Sequence, residues 1–140
     1  MITDEYISGF FDADGSISMG RANKNDPFKT IKIDFTNTQL SILLEIKQYL
    51  LEKYGIPTAI STKPAKSENH QVSYTLSASS NQRCFELCKI IKSRHPKKRH
   101  RINTILKYHN IVTKRNGKYS PREIQRKLAY ERLFFWSTFQ

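Results

Sequence analysis

The sequence predicts an α+β fold, helix-strand-strand-helix-strand-strand-helix with additional C-terminal helices. Three observations predict it. An apolar stretch at helical spacing ends on Asp12-Ala13-Asp14-Gly15. Two separate pairs of segments alternate apolar and polar residues with period two. Between and after them, longer stretches recur at helical period, the last opened by a capping signature.

Thr3 caps a helix over Asp4 to Asp14, with Asp4 and Glu5 suiting its positive end and Gly15 stopping it. Strands follow at Ser16 to Arg21 and Thr30 to Thr36, joined through the turn-rich Asn23-Lys24-Asn25-Asp26-Pro27. In the second strand Ile31, Ile33 and Phe35 face one way and Thr30, Lys32, Asp34 and Thr36 the other, as in a sheet buried on one face. Gln39 to Tyr54 is a helix, with Leu40, Leu43, Leu44, Ile46, Leu50 and Leu51 at helical spacing and a stop at Gly55 before Pro57. A second hairpin takes Thr58 to Lys63 and His70 to Ala78, where Val72, Tyr74 and Leu76 alternate with Gln71, Ser73 and Thr75. Gln82 to Lys92 is helical with Phe85, Leu87, Cys88 and Ile91 inward. After the basic stretch around Pro96 a helix covers Arg101 to Thr113, ended by Asn116-Gly117. Ser120-Pro121-Arg122-Glu123 starts the last helix with a cap, a first-turn Pro and a Glu three residues on. No linker-like composition divides the chain, so residues 1–140 are read as one domain.

Twenty-four Lys and Arg against twelve Asp and Glu leave a formal charge of +12, dispersed along the chain, and a polyanionic partner is the economical reading. Charge alone does not choose among DNA, RNA and an anionic membrane. No run approaches the roughly 18 apolar residues that span a bilayer, and acidic Asp4 and Glu5 stand where a signal peptide is basic. A soluble intracellular protein with no membrane partner is expected, in an organelle or a microbial cytoplasm. Cys84 and Cys88, four apart in an apolar stretch, read as small core residues. That helical spacing is poor for a disulfide, and zinc needs two more ligands.

Asp12 and Asp14 fall in the last turn of their helix, where the macrodipole disfavours a carboxylate by roughly 0.3–1 kcal/mol, so a positive group is expected beside them. Gly9 and Ala13, with Phe10 beside them, are small residues at the spacing that lets two helix backbones approach. A twofold axis there converges two Asp14 carboxylates, which raise each other's pKa and call for a cation. Oxygen-only ligands suit Mg²⁺, or Mn²⁺, better than zinc.

The nine residues Ile7-Ser8-Gly9-Phe10-Phe11-Asp12-Ala13-Asp14-Gly15 resemble the motif of the LAGLIDADG homing endonucleases: the Gly, both Asp residues, the Ala between them and the final Gly are shared. The order of elements also resembles the single-motif, homodimeric members. The resemblance implies an antiparallel β-saddle, a homodimer and a metal-dependent double-strand cut in a long, roughly palindromic DNA target of intron or intein homing. It also implies that Asp14 and the Ala13 carbonyl ligate metal, and that Gln39 positions the attacking water. The plain alternative for Gln39 is a helix start after a Thr38 cap. Lys98 is implied as the basic residue at the phosphate, with Lys97 its competitor. The family's second basic position falls near Leu43, where no Arg or Lys stands.

On a saddle, the polar strand faces line the major groove, which admits two-stranded ribbons. That assigns Ser18, Thr30, Lys32, Asp34, Thr36, Ser61, Lys63, Gln71, Ser73 and Thr75 to DNA, with Arg21 and Lys24 farther along the hairpin and Lys97 and Arg99 on phosphates. Phe35 and Tyr74 read as core, and Phe134, Phe135, Trp136 and Phe139 as packing onto the body. Two other functions remain on the same fold: an intron maturase that binds RNA, and a non-catalytic DNA-binding regulator.

Overall fold

Residues 1–65, 67–68, 71–114 and 118–136 are described by a computed structural model. Helix α1 spans Asp4–Asp14, and the Thr3 hydroxyl accepts from the Tyr6 N–H to cap it. It gives way directly to β1, Gly15–Gly20. Gly15 is extended rather than left-handed, so its small size matters and not its backbone freedom. A Cβ there would fall 2.3 Å from Phe11 Cδ1 and 2.7 Å from the Phe11 carbonyl oxygen, where no side chain fits.

Strand β2 spans Thr30–Asn37, β3 Ala59–Lys63 and β4 Ser73–Ala78, giving one antiparallel sheet in the order β1-β2-β4-β3. Helix α2, Leu40–Tyr54, connects the two hairpins. It ends where Gly55 takes φ +65°, a left-handed conformation that lets the Ile56 N–H reach back to the Leu50 carbonyl. Then come α3 at Asn81–Ile90, α4 at Pro96–Val112 and α5 at Pro121–Phe135. Ser120 and Glu123 form the expected reciprocal cap of α5.

The core lies between the helices and one face of the sheet. Ile17, Ile31, Ile33, Phe35 and Leu76 from the strands meet Ile7 and Phe11 of α1, Leu43, Ile46 and Leu50 of α2, and Cys84, Leu87 and Cys88 of α3. Cys84 Sγ donates to the Ala78 carbonyl at 3.1 Å, and burial pushes its thiol up to about 12, as suits a packing residue.

Several sequence expectations shift. Leu44 and Leu51 are about half exposed, because the inward stripe of α2 is Leu43, Ile46 and Leu50 and each shifted residue stands one position, roughly 100°, further around the helix. Thr38 does not cap α2. The N-cap position is Gln39, and the Asn37 side chain accepts the Gln39 N–H instead. Helix α4 begins at Pro96, five residues before the expected Arg101, so the basic cluster forms its first turns. Phe134 is fully buried, but Phe135 and Trp136 are 41% and 56% exposed, since the helix rotates them off the inward face formed by Lys127, Tyr130 and Phe134. His70, Asn116-Gly117 and Phe139 lie outside the described residues.

Candidate active site and nucleic-acid interface

Asp14 is the last residue of α1, with its side chain in solvent. The register places Gly15 opposite Phe35, so the end of β2 lies level with the end of α1. Asn37, the final residue of β2, therefore donates through Nδ2 to Asp14 Oδ2 at 3.1 Å. Its Oδ1 accepts the Gln39 N–H at 2.8 Å, and one amide thereby ties Asp14 to the exposed start of α2. Asn37 was missed in the sequence because its role depends on register, which alternation alone does not give.

The positive group expected at the end of α1 is Lys98. Its Nζ donates to the Phe11 and Asp12 carbonyls, both at 3.0 Å; the Phe11 carbonyl also accepts the Gly15 N–H, so Lys98 adds a second donor there and supplies one at the Asp12 carbonyl. A cation in the first turn of α4 opposes that helix's own dipole, yet here it answers the negative end of α1. Burial lowers the Lys98 ammonium below its ordinary pKa, against the pull of Asp12 and Asp14, which favour its charge.

Asp12 and Asp14 do different things. The Asp12 carboxylate accepts the Ser93 hydroxyl and, at 2.8 Å, the Arg94 N–H, while Ser8 one turn earlier accepts the Lys92 N–H at 2.8 Å. Burial pushes Asp12 upward, but Ser93, the Arg94 N–H and the charges of Lys98 and His95 together bring its pKa below the ordinary value. Asp12 thus fastens the α3–α4 connection that delivers Lys98. Neither Ser8 nor Ser93 carried a sequence signal, since their partners lie more than eighty residues away.

Helical rotation sorts the remaining basic cluster. Lys97 and Arg99 point outward. His100 Nε2 is 2.7 Å from the Leu133 carbonyl, and Arg101 donates to the Ile17 carbonyl at 2.8 Å while stacking on Phe134 and Phe135. Arg101 is therefore occupied in fastening α4 to the β1 edge. Leu43 is wholly buried, in keeping with the missing basic residue there.

Cross-strand partners share a face. Ser18, Thr30, Lys32, Asp34, Thr36, Ser61, Lys63, Ser73 and Thr75 accordingly line the side of the sheet opposite the core. Ser16 and Ser77, paired with Asp34 from either side, belong to it too and were missed. Gln71 precedes β4 and is exposed, as are Arg21 and Lys24 in the β1–β2 connection. Asp34 Oδ1 is buried with no hydrogen-bond partner, while its Oδ2 lies 3.9 Å from Lys32 Nζ. Among the described residues no three His, Cys, Asp or Glu side chains gather as a metal site, and no helix is long and apolar enough to cross a membrane.

A helix ending in an exposed Asp, a lysine across its carbonyls and a polar antiparallel sheet face together define a LAGLIDADG-type fold. The model of the LAGLIDADG-like domain matches residues 2–125, and the chain belongs to that family. It is similar to the archaeal intron-encoded homing endonuclease I-Vdi141I complexed with DNA, at 16% identity and TM-score 0.53, covering 91% of this chain and 96% of that one. The homing endonuclease I-CvuI, in complex with uncleaved target DNA in the presence of Mg, gives 18% identity and TM-score 0.55 over 98% and 85%. I-SmaMI bound to uncleaved DNA with calcium gives 16% and 0.64, over 96% of this chain but 45% of that one. At these identities the likeness establishes the fold. No functionally curated protein matches by sequence.

Proposed function

We propose that the protein is a site-specific DNA endonuclease of the homing type, which pairs with a second copy of itself and uses Mg²⁺ or Mn²⁺ to cut both strands of a long, roughly palindromic target. The observation that carries this reading is the Asp14 carboxylate, exposed at the negative end of α1 between Asn37 and Lys98 and beside a polar sheet face.

Pairing is supported by the outer side of α1. Gly9 and Ala13 are exposed, and the space where a Gly9 Cβ would stand is open, so one chain leaves bare the small-residue strip that a second helix can approach closely. It is further supported by coverage. The chain spans most of I-Vdi141I and I-CvuI but under half of I-SmaMI, as expected if two copies here correspond to one longer chain there.

The donor set fits a hard divalent cation. One chain offers Asp14 and the last-turn carbonyl of Ala13, both oxygen, and a second copy doubles them, leaving positions for water and phosphate. A cation held by these oxygens would supply water activation and charge stabilisation at the leaving oxygen. Asn37 fixes the orientation of Asp14 and of the α2 start, where Gln39 orients the attacking water. Lys98 brings positive charge to the phosphate, and Asp12 positions Lys98 without ligating metal. The sheet's polar face enters the major groove. Lys97 and Arg99 contact phosphates.

Asp14→Asn tests the reading. The variant keeps size and the acceptor for Asn37, so it should fold and bind target duplex but lose cleavage by several orders of magnitude. Calcium should likewise support binding without cutting in the unaltered protein. Cleavage by Asp14→Asn at near the original rate in magnesium would sink the assignment. RNA-stimulated splicing without cleavage would identify a maturase, and duplex binding without nicking in magnesium a regulator.

A further inference from the structure

Three shallow depressions join into one trough along the outer side of α5 and the β1–β2 connection. The first is lined by Arg122, Arg126 and Arg132. The second, of about 410 Å³, shares Leu128 and Arg132 with it and adds Lys29 and Arg21. The third shares Lys29 and Arg21 and adds Lys24. Six cations thus follow one another. Arg122 and Arg126 stand about one turn apart on α5 and Arg132 roughly a third of a turn around from Arg126, all three exposed while Lys127, Tyr130 and Phe134 are buried.

Among the described residues Arg21, Lys24, Arg122, Arg126 and Arg132 take part in no ion pair. The single carboxylate lining the trough, Glu131, is 5% exposed and already accepts the Lys29 N–H at 3.0 Å. A row of unpaired guanidinium groups suits a row of phosphates, which they meet bidentately.

We infer that the α5 trough is a second duplex-binding surface, gripping the phosphate backbone that flanks the segment read by the sheet. This rests on the endonuclease reading above. Position favours duplex DNA as the occupant: Arg21 directly follows the edge strand β1, so the trough borders the sheet at that edge, and Arg101 holds the α4–α5 pair against β1 through the Ile17 carbonyl. Two of its six cations, Arg126 and Arg132, lie past the family match, which stops at residue 125.

The test replaces the three exposed arginines together, Arg122→Gln, Arg126→Gln and Arg132→Gln, and measures binding to a long mixed-sequence duplex in calcium across a salt series. The slope of log affinity against log salt should flatten by roughly 0.9 for each phosphate no longer neutralised. Affinity at a fixed moderate salt should drop about tenfold or more, and Arg→Lys at the same positions should restore most of both. An unchanged slope in a variant that still binds and cuts duplex overturns this surface alone. Failure of the unaltered protein to bind any duplex overturns the endonuclease reading with it. Tighter binding of a single-stranded RNA of matched length, abolished in the triple variant, overturns the duplex assignment in favour of RNA.

Discussion

Replacing Lys98 by Met keeps the length of the stem and removes the ammonium. Two 3.0 Å hydrogen bonds to the Phe11 and Asp12 carbonyls disappear. Hydrogen bonds from charged donors contribute about 1.5–3 kcal/mol each when buried, but Lys98 is half-buried and its two acceptors share one group. The dipole terms nearly cancel, since the same charge is favourable at the end of α1 and unfavourable at the start of α4 by similar amounts of about 0.3–1 kcal/mol. Relief of the ammonium's desolvation offsets part of the rest, leaving a stability loss of about 1–2 kcal/mol. Catalysis should suffer more: loss of one positioned charge at a reacting phosphate costs about 10²- to 10³-fold. Urea denaturation reads the first quantity and single-turnover cleavage at saturating protein the second. A variant less stable but cutting within threefold of the original rate would make Lys98 only an anchor for α1. One unchanged in both would refute the account of the helix end altogether.

Three further perturbations follow from the geometry. Gly9→Leu meets open space within the chain, so thermal stability should hold while light scattering gives one 16.4 kDa chain and cleavage disappears; a dimer that still cuts would contradict the α1 seam. Gly15→Ala puts a Cβ against the Phe11 ring and carbonyl and should cost about 2–3 kcal/mol by overpacking, read as a lowered denaturation midpoint, with an unchanged midpoint as the contrary result. His109 is 5% exposed, and burial, reinforced by Lys127, lowers its pKa to about 4. The unfolded chain binds that proton near pH 6.5 and the folded one does not, so stability is full above pH 6.5. It should fall by up to about 3 kcal/mol as pH drops from 6.5 through 4. His109→Gln should flatten that pH window, and a slope equal to the original protein's would assign it to other groups.

The sequence by itself determined the local features of this protein. Period-two alternation in Thr30 to Thr36 fixed which residues face away from the core, because successive side chains on a strand point oppositely whatever the strand pairs with. The caps at Thr3 and Ser120, the stop at Gly55 and the placement of Asp14 at a helix end likewise depend on residues within a few positions of one another. The demand for a positive group at the end of α1 was legible too, since the dipole imposes it. Only tertiary structure showed that Lys98 meets it. Rotation of a helix that starts at Pro96, five residues earlier than its apolar period showed, turns Lys98 inward and Lys97 to solvent. It also separated Asp12 from Asp14, one bound to Ser93 and Arg94 and the other to Asn37. The register of β1 on β2 brought Asn37 level with Asp14, and packing of α5 against the β1–β2 connection aligned its arginines with Arg21 and Lys24. Such pairings join residues far apart in the chain, and each depends on how whole elements dock, which no local propensity encodes.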